Sequence, residues 1–143
     1  MKIAINKCWG GFSLSPTATK LYLKKLGKKC FFYKQTKYTF RGELEEHQKI
    51  TLEQAEKASF FSVYTKDMGE KFPKHIDKHY WYENFYEKRT DKLLIETIEE
   101  LGEAKASGNV AKIHIVNIPD NTQFEIDDYD GMESIHEKHR NWS

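Results

Sequence analysis

The chain has 143 residues, within the roughly 100–200 of an ordinary domain, so one domain with a core that needs no metal or disulfide staple is expected. Hydrophobic residues make up 38% and charged residues 31%, and eight glycines with three prolines exclude a low-complexity or collagen-like chain. No apolar run approaches the roughly 18 residues that span a bilayer, and the opening Met1-Lys2-Ile3-Ala4-Ile5-Asn6 turns polar too early for a signal peptide. A cytosolic protein with no membrane contact is expected, and Cys8 and Cys30 read as reduced thiols rather than a disulfide.

The formal net charge of +1 hides a split. Residues 1–42 carry ten Lys or Arg and no carboxylate, whereas the remainder carries a net of −9. Asp120 to Glu137 alone holds seven carboxylates and no Lys or Arg. Two readings follow: a basic face turned to an anionic ligand, or opposite ends that neutralise one another within the chain or across a subunit interface. Aromatic residues number 20, six of them between Phe72 and Tyr86, which suits a core or an oligomer interface.

In chain order, Lys2–Asn6 alternates as a strand, Lys7–Leu14 is a loop with Gly10-Gly11, and Ser15-Pro16 opens a helix that Gly27 stops. Cys30–Phe40 reads as a strand, Gly42–Ile50 as a charged loop or short helix, and Thr51-Leu52-Glu53-Gln54 as a capping box opening a helix to about Ser59. Phe60–Thr65 reads as a strand, Lys66–Lys78 as a loop, and Tyr80–Tyr86 as either a strand or a helix start. Thr90 is the expected cap of a helix reaching Ala104, ended by Ser107-Gly108-Asn109. Val110–Ile118 is apolar on both faces, like an interior strand, and Pro119-Asp120-Asn121 turns it into a hairpin with Gln123–Asp127. Asp130 to Glu133 matches a second capping box and predicts a terminal helix. The expected class is α+β: a single domain with a mixed or antiparallel sheet, packed helices, and a C-terminal hairpin plus helix.

Gly10-Gly11, between a strand and a helix start, is a candidate anion cradle, although no GxxxxGK[ST] or GxGxxG is present. His75/His79 and His136/His139 have helical metal spacings without a clear third ligand, and Asp127-Asp128-Tyr129-Asp130 lacks the calcium-loop pattern, so neither metal nor cofactor is expected. No nucleophile elbow or paired-carboxylate motif nominates catalytic residues. Only Arg41, Arg89 and Arg140 carry guanidinium groups, against 20 lysines, which marks them as candidate forks for carboxylate or phosphate.

The two ends of the chain resemble a family of small proteins encoded by tailed phages and prophages. The matching segments are Lys2-Ile3-Ala4-Ile5-Asn6 with Gly10-Gly11-Phe12-Ser13-Leu14-Ser15, Arg89-Thr90-Asp91, Glu99-Glu100-Leu101-Gly102-Glu103, Ile115-Val116-Asn117-Ile118-Pro119-Asp120, Tyr129-Asp130-Gly131-Met132-Glu133 and Glu137-Lys138-His139-Arg140-Asn141-Trp142. Residues 31–87 match only loosely. Gln123–Asp128 and Lys92 depart from the family's Glu-Glu run and proline. The resemblance implies a phage origin and a bacterial host cytoplasm, and it carries no activity of its own.

The expectation is therefore an anti-defence protein, a homo-oligomeric sponge that sequesters a cyclic-nucleotide or ADP-ribose-type immune signal. Trp9, Phe12 or Trp142 would stack the base. Gly10 and Gly11 amides, Arg89 and Arg140 would hold phosphate, with Asn6, Ser13 and His139 completing the candidate set. The alternatives are an inhibitor that binds a host defence protein through its charged faces, and an enzyme that degrades the nucleotide signal. Nucleic acid is not an expected partner, because the acidic remainder would repel a duplex.

Overall fold

The computed structural model describes residues 1–73 and 77–138, which form an α+β structure with antiparallel strand pairing. They gather into two compact units, residues 1–18 with 84–138 and residues 19–83. The chain passes from the first to the second within a helix.

In the first unit, β1 (Lys2–Asn6) pairs antiparallel with β6 (Ile113–Asn117), Ile3 opposite Val116 and Asn6 opposite Ile113. The helix α3 (Lys92–Leu101) packs on β1, and a single turn, α4 (Glu103–Ala106), follows it. Ile3, Ile5, Leu14, Leu94, Ile95, Ile98, Ala106 and Ile113 are buried. The strands β7 (Phe124–Tyr129) and β8 (Met132–Glu137) form a hairpin. The helix α1 (Pro16–Lys25) starts as its sequence dictates: the Ser15 hydroxyl accepts from the Ala18 amide at 3.1 Å. At its other end Gly27, at φ +75°, lets the Lys28 amide return to the Leu23 carbonyl.

The second unit is a four-stranded sheet in the order β4 (Ser62–Tyr64), β2 (Phe31–Tyr38), β3 (Leu44–Ile50), β5 (Lys71–Pro73). Neighbouring residues of β2 point to opposite faces. Phe32 joins Leu23, Ile50, Ala55 and Val63 in one cluster, to which α2 (Leu52–Lys57) contributes Ala55. Tyr33 joins Tyr64 and Phe72 in another, where His47 stacks on Phe72 at 4.6 Å. The expected capping box opens α2, the Thr51 hydroxyl accepting from Gln54 and the Gln54 side chain accepting from the Thr51 amide. Both cysteines are free thiols, and burial against the first cluster pushes the Cys30 thiol up to about 12.

Several expectations are corrected. Gly42–Ile50 is neither loop nor helix, because β2 supplies a partner for its backbone along Leu44–Ile50. Residues 66–78 contain the short strand β5, whose Pro73 is tolerated at a sheet edge. Asp91 rather than Thr90 caps α3, its carboxylate accepting from the Leu94 amide at 3.2 Å, and Gly102 at φ +89° ends that helix before Ala104. The terminal helix is instead the strand β8. Asp130 and Gly131, both at positive φ (50° and 90°), make the tight hairpin turn that an Asp-Gly pair favours, so the hairpin joins β7 to β8 and not β6 to β7.

Tyr80–Tyr86, left open between strand and helix, holds only a bridge from Tyr80 to Tyr64 and the start of a single 3-10 turn at Phe85–Glu87. Among the described residues no helix is long and apolar enough to cross a membrane.

Candidate functional site

The loop after β1 is built around Asn6, which is fully buried. Its side-chain amide donates to the carbonyls of Cys8 (2.7 Å) and Gly131 (2.6 Å), and its Oδ1 accepts from the Lys112 amide at 2.8 Å. Its backbone amide donates to Glu133 at 2.7 Å. One side chain thus ties the loop, the hairpin turn and the lead-in to β6 together, with its polar atoms satisfied as a buried amide requires.

Gly10 and Gly11 serve close approach inside the protein. A Cβ on Gly131 would lie 2.3 Å from the Gly11 nitrogen and 2.7 Å from that of Gly10, and a Cβ on Gly10 would lie 2.7 Å from the Val110 carbonyl oxygen. The Gly10 amide donates to the Asp130 carbonyl at 3.3 Å. The hairpin turn therefore sits where an anion cradle was expected. Ser13 is likewise a packing residue, its carbonyl accepting from the Gly108 amide at 2.8 Å.

Arg89 is 6% exposed and Glu133 4%, and they form a two-pronged ion pair, NH1 to Oε1 at 2.5 Å and NH2 to Oε2 at 2.6 Å. The guanidinium also donates to the carbonyls of Phe85 (2.6 Å) and Ala4 (3.2 Å) and lies 4.1 Å above the Phe12 ring. Phe12, half-buried, meets Phe85 at 5.3 Å. The fork expected to hold phosphate is engaged with a carboxylate of the same chain. Removing one partner of such a pair strands a buried charge, at about 3–5 kcal/mol.

These groups also close the β1–β6 sheet. On the outer edge of β1, the Ala4 amide donates to the Arg89 carbonyl and the Asn6 amide to the Glu133 carboxylate. On the outer edge of β6, the Ile113 amide donates to the Ser107 hydroxyl (2.8 Å) and the Ile115 amide to Glu103 (2.7 Å). This is why β6, apolar on both faces, is not an interior strand: side chains occupy the edge that a third strand would use.

What remains open around this loop is apolar and flanked by charge. Trp9 is 56% exposed and Tyr129 72%, and their rings meet edge to face at 5.5 Å. Val110 is exposed beside Gly10. Lys7 and Lys112 stand opposite each other where the β1–β6 register continues, the Lys7 amide donating to the Lys112 carbonyl at 2.8 Å, and both residues are exposed. On the hairpin side Asp127 holds His136 at 2.8 Å and Asp128 accepts from the Gly131 amide at 2.7 Å.

Of the expected ligand residues, the structure therefore brings Asn6, Trp9, Gly10, Gly11, Phe12, Ser13 and Arg89 to one region and leaves Trp9 open. His139, Arg140 and Trp142 lie outside the described residues, as does His75. Tyr129, Val110, Lys7 and Lys112 were missed. Tyr129 had a signal, its position one residue before the Asp130-Gly131 turn. Among the described residues no three His, Cys, Asp or Glu gather as metal ligands would. Compared with family models, curated proteins and solved structures, the chain matches none.

Proposed function

We propose that this chain is a phage-encoded anti-defence protein that sequesters a nucleotide-derived signal without catalysis in the cytoplasm of a bacterial host. The base lies against Trp9 and Tyr129, and the phosphate faces Lys7 and Lys112. The observation that carries the reading is the exposed Trp9–Tyr129 pair, displayed on a loop whose own polar groups are satisfied internally. Two rings already in contact need less ordering on binding than free ones, and a stacked base contributes about 1–3 kcal/mol. Lys7 and Lys112 put like charges across a strand pair, which costs stability that an anionic ligand restores.

Native mass spectrometry of the purified protein with a panel of cyclic nucleotides and ADP-ribose derivatives tests this. Intact ligand should be recovered on heating, which separates sequestration from turnover. Trp9→Ala and Tyr129→Ala should each weaken binding about tenfold to a hundredfold with the fold retained. Absence of any adduct, or affinity indifferent to both substitutions, overturns the reading.

The outer face of the β7–β8 hairpin favours a second reading. Its register places Glu125, Asp127 and Tyr129 on the face opposite the buried Glu133. That face suits a host defence protein with a basic surface. Capture of one stoichiometric partner, lost in Glu125→Lys/Asp127→Lys, would favour it over the nucleotide.

A further inference from the structure

Beyond Tyr33 on β2 and before Glu46 on β3, the two strands pair only with each other, forming a two-stranded arm. Its tip is tightly organised. The Thr39 amide donates to the Glu43 carbonyl at 2.7 Å, the Gly42 amide to the Thr39 carbonyl at 2.9 Å, and the Thr39 hydroxyl accepts from the amides of Arg41 and Glu43. Gly42, at φ +82°, supplies the left-handed step. None of this needs an aromatic residue at position 40, yet Phe40 is 106% exposed there. Arg41 beside it is exposed, and its guanidinium has no ion-pair partner among the described residues. An exposed phenyl and an unpaired guanidinium on a preorganised turn have the composition of an interface anchor.

A receptor of matching character lies on the first unit. A groove of about 410 Å³ runs between the start of β1 and α3. Met1 and Ile95 are its apolar lining residues, and Thr90, Glu96, Glu99 and two lysines line it with polar groups. Lys2 is taken by Glu99 at 2.7 Å, whereas Glu96 has no ion-pair partner among the described residues. We infer that the arm tip of one copy docks in this groove on a second copy, with Phe40 entering beside Met1 and Arg41 paired to Glu96. Tip and groove are different surfaces, so the contact is head-to-tail. The inference is independent of the nucleotide reading.

Sedimentation of the full chain over a concentration series tests it. The wild type should form a species larger than the monomer, and Phe40→Ser or Glu96→Arg should each reduce it to monomer with an unchanged circular dichroism spectrum. Arg41→Glu combined with Glu96→Arg should restore assembly. Mixing a Phe40→Ser/Arg41→Glu chain with a Glu96→Arg chain should give a one-to-one dimer, because one intact tip and one intact groove remain. A wild type that stays monomeric, or an assembly that survives both tip and groove substitutions, overturns the inference.

Discussion

The two units solve the same problem, a small antiparallel sheet, with different chemistry. In residues 19–83 the ladder is completed by strands and the faces by rings: Tyr33, Tyr64 and Phe72 meet edge to face at 5.1–5.4 Å, and His47 stacks on Phe72. In the other unit β1 and β6 pair with each other and, among the described residues, with no further strand, and both of their outer edges end on side chains, Glu133 with the Arg89 carbonyl on one and Ser107 with Glu103 on the other. Burial of aromatic area is graded and tolerant of substitution. A sheet closed by buried charge depends on single atoms, and losing one leaves a donor or a charge with nothing to replace it.

The comparison is broken most directly at Arg89. Arg89→Ala should destabilise the protein by about 3–5 kcal/mol in urea unfolding, because the Glu133 carboxyl would be left buried without its partner. Arg89→Met with Glu133→Gln, which keeps an acceptor for the Asn6 amide, should lose less, and equal losses in the two variants would refute the account. A smaller effect is expected in the aromatic cluster, where Phe72→Leu keeps most of the apolar volume and should cost about 1.5 kcal/mol by the same measurement.

The smallest effect lies on the surface of the second unit. Hydrogen bonds from the Lys49 ammonium and the Gly69 amide hold the Asp67 carboxyl below its ordinary range. A depressed carboxyl contributes stability above its unfolded pKa of about 3.9, and that contribution is lost as pH falls through the lower folded value. An NMR titration of the Asp67 carboxyl should give a midpoint below 3.9, and Lys49→Met should raise it. A midpoint at or above 3.9 would remove Asp67 from the account.

What could be read from sequence divides along the same line. Ser15 capping α1, Gly27 ending it and the Thr51–Gln54 box are all decided within a few residues, and they were legible. The strand β3 was not, because Leu-Glu-Glu-His-Gln-Lys-Ile becomes a strand only through its partner β2. The strand β8 misled for a more specific reason. Asp130 and Glu133 have capping-box spacing, but the acid is taken by Arg89, 44 residues away in sequence, and the Asp130-Gly131 turn prevails. Gly10-Gly11 was legible as a special loop, while the object it accommodates, the turn at Gly131, comes from the far end of the chain.

That separation matters during synthesis. The strand β1 leaves the ribosome ahead of residues 19–83, whereas Arg89 and Glu133, which seal its outer edge, and β6, which pairs with it, follow only after all of them. The inserted unit has every strand of its sheet within one continuous stretch and can complete its ladder first. Until β6, Arg89 and Glu133 emerge, Ile3 and Ile5 lie on a strand without its partner, and the flanking lysines at positions 2 and 7 are of the residue type that discourages such an edge from pairing with a neighbour.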